Sequence, residues 1–126
     1  MAEKVMYSNI LQEFAKPLLY ADDTNDVFIT KMKVAELIWN YCIAKEFGMP
    51  VFDILHQAIT KQNENNPEMK QVFNLFVKMK KEDFYKYKNF IVTVEIRIKK
   101  EGDKTVYVES IHPNHFNNIS NGAIRV

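Results

Sequence analysis

Apolar and polar positions change their spacing once along this chain, near Lys80. Before it, apolar residues recur at helical intervals, as in Met69, Val72, Phe73 and Phe76. After it, Phe90, Val92, Val94, Ile96 and Ile98 alternate with Thr93, Glu95, Arg97 and Lys99. A period of 3.6 followed by a period of 2 predicts helices first and strands last.

The first helix is expected to start after Ser8 as N-cap, to turn Ile10, Leu11 and Phe14 inward, and to be disturbed at Pro17. Thr24 can cap a second helix, whose first turn holds Asp26 and which should stop at Gly48, with Pro50 just beyond. Its second half, Leu37 to Ala44, is apolar in nearly every direction and is interrupted by Asn40. A helix apolar all round is a buried one, so residues 24–47 are expected at the centre. A third helix over about 51–61 shows a stripe of Val51, Ile54, Leu55, Ala58 and Ile59. Residues 62–66 read as a linker, and Pro67 opens a fourth helix with the stripe Met69, Val72, Phe73, Phe76, Val77 and Met79.

The alternating segment forms one strand, about 90–100, and Thr105 to Ile111 a second, joined by a turn at Glu101-Gly102-Asp103. Burying a Val or Ile outweighs any single cross-strand pair. The favoured register therefore sets Ile98 opposite Val106 and Ile96 opposite Val108, over one that pairs Arg97 with Glu109. The expected architecture is α+β: four helices around a buried central helix, then a C-terminal antiparallel hairpin. One domain spans 1–111 and a loosely ordered polar tail spans 112–126. A two-stranded sheet has two open edges and needs cover. The tail near 119–126, a second copy of the chain, or a strand from another protein are the three candidates.

At 126 residues, 47% hydrophobic and 26% charged, the chain has the composition of an ordinary globular domain. With 17 basic and 16 acidic residues, it carries no overall field towards nucleic acid or anionic lipid. The single cysteine, Cys42, excludes an intramolecular disulfide, and no basic-then-apolar leader pattern opens the chain. A cytoplasmic setting without membrane contact is expected. Three glycines leave no phosphate-cradling loop.

Candidate chemistry is sparse. His112 and His115 supply two ligands where zinc needs three or four. Asp22, Asp23 and Asp26 lack the glycine and distal glutamate of a calcium loop. Cys42 sits among apolar neighbours that raise a thiol's pKa, which reads as core. Asn40 must be hydrogen-bonded wherever it is buried, and His56 follows Asp53 by one turn. These two are the candidate pocket polar groups, and a catalytic centre would need one of them beside Glu36 or Glu46. Lys78, Lys80, Lys81, Tyr85, Lys86, Tyr87 and Lys88 interleave charge with stackable rings, the chemistry of single-stranded nucleic-acid contacts. Glu82 and Asp83 dilute that patch. With no catalytic motif, cofactor or metal set, the pattern points to a non-enzymatic protein-interaction domain that self-associates through the hairpin edge or an apolar helix face. Weak nucleic-acid binding at 78–90 is the alternative.

Overall fold

The computed structural model describes residues 6–100 and 103–115, except for the side chains of Lys100 and Asp103. Its elements run α1 (Tyr7–Ala15), a 3-10 turn (Lys16–Leu18), α2 (Asn25–Phe47), α3 (Phe52–Asn63), α4 (Pro67–Glu82), β1 (Phe90–Lys100) and β2 (Asp103–Ile111). This is the expected α+β fold with a terminal hairpin.

The caps follow the sequence in α2 and α4 and depart from it in α1. Thr24 Oγ1 accepts from the Val27 N–H at 3.3 Å, and Gly48 ends α2 in the left-handed conformation, φ 61°. Asn66 caps α4 by accepting from the Met69 N–H, with Pro67 in the first turn. Ser8, expected as the α1 cap, lies inside the helix, which starts one residue earlier at Tyr7. Tertiary contacts account for the difference: the Tyr7 ring meets Trp39 edge-on, and its hydroxyl accepts from the Asn89 N–H.

Helix α2 is the centre. Met32, Ala35, Ile38, Trp39, Ile43 and Ala44 are buried on several of its faces, against Leu11 and Phe14 of α1, Phe76 of α4, and Ile91 of β1. Phe14, Trp39, Phe76 and Phe84 form an aromatic cluster with ring centroids 4.8–6.2 Å apart. Such edge and tilted contacts add about 0.5–1.5 kcal/mol per pair to simple burial. Helix α3 is the least embedded: Ile59 is buried, but Ile54, expected on the inward stripe, is 68% exposed. Leu55 takes the neighbouring inward position and turns Ile54 aside.

The hairpin corrects two expectations. Its register sets Ile96 opposite Val106 and Val94 opposite Val108, with Lys100 opposite Asp103. The favoured pairing of Ile98 with Val106 is therefore displaced by two residues, and Ile98 faces Lys104. Apolar matching is kept one step nearer the helices, and Glu95, which the favoured register sets opposite the like-charged Glu109, faces Tyr107 instead. Strict alternation also fails at the start of β1. Phe90 and Ile91 are both buried while Val92 is 47% exposed, because the register shifts between Ile91 and Thr93. A bulge there turns two consecutive side chains towards the core. Beyond β2, Pro113 is fully buried and the His112 ring meets Phe47 edge-on. The rest of the tail, 116–126, and turn positions 101–102 lie outside the described residues.

Candidate functional site: the two edges of the hairpin

Three side chains of α2 bond to the backbone of β1 and the residue before it. Asn40 is the centre of this contact. Its Oδ1 accepts from the Ile91 N–H and its Nδ2 donates to the Ile91 carbonyl, both at 2.8 Å and both buried. An amide side chain thus takes the place of a neighbouring strand. Since an N–H donates in one direction, the main-chain N–H and C=O of Ile91, though it lies opposite Ser110, point away from β2 here. The Trp39 Nε1–H donates to the Asn89 carbonyl at 2.8 Å, and Lys33 Nζ to the Val94 carbonyl at 3.3 Å. Of the two open edges expected from sequence, the β1 edge is therefore closed along its first half by a helix.

The β2 edge is different. Among the described residues its backbone pairs with β1 alone. Residues 104–109 line a groove of about 550 Å3, whose other wall is the start of α1 at Met6, Ser8, Asn9 and Gln12. Thr93 and Glu95 of β1 line it too, so the groove runs from the outer face of the hairpin across β2 to α1. On the outer face, Thr93 Oγ1 donates to Glu109, Glu95 pairs with Arg97, and the Arg97 guanidinium lies 4.6 Å from the Tyr107 ring centroid. Tyr107 itself is 43% exposed.

The sequence-derived candidates separate. Asn40 is consumed by Ile91, and exposed His56 stacks with the rings of Phe52 and Tyr41. Neither lines the β2 groove. Glu46 is paired with Lys88 at 2.7 Å, while Glu36, 3.8 Å from Lys33, has its carboxyl pushed up by burial despite that lysine. The structure thus does not join Asn40 or His56 to either carboxylate through a hydrogen bond.

The segment 78–90 also divides. Lys78, Lys81, Tyr85 and Lys86 stand exposed. Lys80 is 3% exposed: its Nζ donates to the Phe84 carbonyl at 2.9 Å and lies 4.7 Å from the Trp39 ring centroid. Burial pushes its ammonium pKa down, and nearby Lys88 adds to the effect. Tyr87 is half-buried beside Tyr7 and Phe84. Cys42 faces a smaller groove between α2 and α4, and burial raises its thiol to about 11. At neutral pH it is a protonated, unreactive thiol. Among the described residues, no three His, Cys, Asp or Glu side chains converge as a metal site would require, and no helix is long and apolar enough to cross a membrane.

Sequence reasoning missed the groove because its walls are far apart in the chain. Asn9 and Gln12 carry no distinguishing pattern, and which stretch of β2 faces them depends on a register set by tertiary contacts. Compared with family models, curated proteins and solved structures, the chain has no significant match. The geometry of the two edges is therefore the basis for a functional reading.

Proposed function

We propose that this chain is a small, non-enzymatic, cytoplasmic protein-interaction domain that self-associates by adding a strand at the outer edge of β2. The supporting observation is the contrast between a β1 edge bonded by α2 and a β2 edge that lines a groove. A strand edge offers a row of main-chain donors and acceptors, and an extended segment pairing with it gains affinity from them.

A second copy suits this edge. A two-fold axis through Tyr107 pairs the strands antiparallel, sets Val106 opposite the partner's Val108, and sets Thr105 opposite the partner's Glu109. Apolar residues then continue one face of a four-stranded sheet and polar residues the other, as strand alternation requires.

Sedimentation velocity on the full chain at micromolar concentration tests the reading. A dimer is expected, with Tyr107→Lys converting it to a monomer of unchanged far-UV circular dichroism. A monomeric parent protein would reject self-association. The geometry of the pairing has its own check: Tyr107→Cys in a Cys42→Ser background should form an intermolecular disulfide, since directly opposed strand residues lie about 4.5–5.5 Å apart at Cα, within disulfide reach.

A further inference from the structure

A second concavity lies at the corner where the hydrophobic period changes. It is a groove of about 350 Å3 between the C-terminal halves of α2 and α4. Tyr41, Cys42, Val77 and Tyr85 give it an apolar lining, and its charged groups are Lys45, Lys80, Lys81 and Glu46. The volume is within the range of about 300–1,000 Å3 typical of small-molecule sites, which combine apolar walls with a few placed polar groups.

The charges there do not cancel. Glu46 is engaged by Lys88 at 2.7 Å, whereas Lys45, Lys80 and Lys81 form no salt bridge among the described residues. Lys45 and Lys81 are exposed, and Lys80 is almost wholly buried. Two cations thus stand at the rim, while the third is turned to Trp39 and the Phe84 carbonyl. The Lys80 ammonium is already met by these two groups, so the cations left for a ligand's charge are those at the rim.

We propose that this groove binds a small amphipathic carboxylate, with its apolar body against Tyr41, Cys42 and Val77 and its charge met by the two rim lysines, Lys45 and Lys81. A nucleic-acid strand fits the same corner less well. Strand binding uses an accessible row of cations and stacking rings, but here Lys80 and Tyr87 turn inward and Lys88 is occupied by Glu46.

Calorimetric titration of the full chain with decanoate, below its micelle threshold, tests the proposal, with decanol as the uncharged control. Saturable decanoate binding is expected, with amide shifts in 41–46 and 77–85. The Lys45→Gln/Lys81→Gln variant changes exposed residues only, and it should weaken decanoate about tenfold, equivalent to about 1.4 kcal/mol, while leaving decanol unchanged. Val77→Trp should remove binding of both. Absence of binding at millimolar decanoate, equal loss of decanol in the lysine variant, or shifts confined to β2 would overturn the site. Displacement of decanoate by a single-stranded oligonucleotide, with loss of the oligonucleotide's own binding in the lysine variant, would reassign the surface to nucleic acid.

Discussion

The two edges of one small sheet meet the same physical problem in different ways. Along β1, the Ile91 N–H and the carbonyls of Asn89, Ile91 and Val94 are bonded by Trp39, Asn40 and Lys33 of α2. Along β2, described backbone pairing runs to β1 alone, and residues 104–109, with Thr93 and Glu95 of β1, line a groove that reaches the start of α1. Covering an edge with a helix is a standard protection against unwanted strand pairing. The self-association proposed above therefore uses the β2 edge, the one that α2 does not cover.

The strongest way to break this contrast is Asn40→Leu. It leaves the buried Ile91 N–H and C=O without their partner, at about 1–3 kcal/mol for each unsatisfied group. Urea denaturation should show a loss of about 4 kcal/mol. A loss below 1 kcal/mol would mean that the amide contact does not secure the edge. Trp39→Phe keeps a ring in the aromatic cluster but removes the bond to Asn89 and shrinks the side chain, with an expected cost of about 2 kcal/mol by the same measurement.

On the β2 side the expectation is reversed. Tyr107→Lys should alter folding stability by no more than about 0.5 kcal/mol, as exposed substitutions usually do, yet abolish self-association in sedimentation. The smallest effect concerns pH. The Cys42 thiol titrates near 11 in the folded chain against an ordinary value of 9.0, so the folded state holds its proton more tightly. The stability this contributes is full below pH 9 and is lost as pH rises through about 11. Denaturation of the parent and of Cys42→Ala across that window should show a shallower decline for the variant, and identical slopes would contradict the burial of the thiol.

Much of the fold was legible because its signals are local. Thr24, Gly48 and Pro67 mark helix ends through their own backbone chemistry, and the all-round apolar character of 37–44 placed α2 at the centre. Nonlocal effects account for the departures. Tyr7 is drawn into α1 by Trp39 and Asn89, and the bulge after Ile91 belongs to a contact with Asn40, 51 residues away. The hairpin register follows the same rule: it depends on what the helices can bury. Asn40 shows the boundary between the two cases. Its need for buried partners was readable from the sequence, but that those partners are strand backbone is visible only in three dimensions.

Amide hydrogen exchange, followed residue by residue at low and high protein concentration, tests the central contrast most directly. The Ile91 N–H should exchange slowly at both concentrations, and outward amides within 104–109 should exchange rapidly in dilute solution and become protected as concentration rises. Rapid exchange at Ile91, or residues 104–109 that respond identically at both concentrations, would contradict a closed β1 edge and an open, self-docking β2 edge.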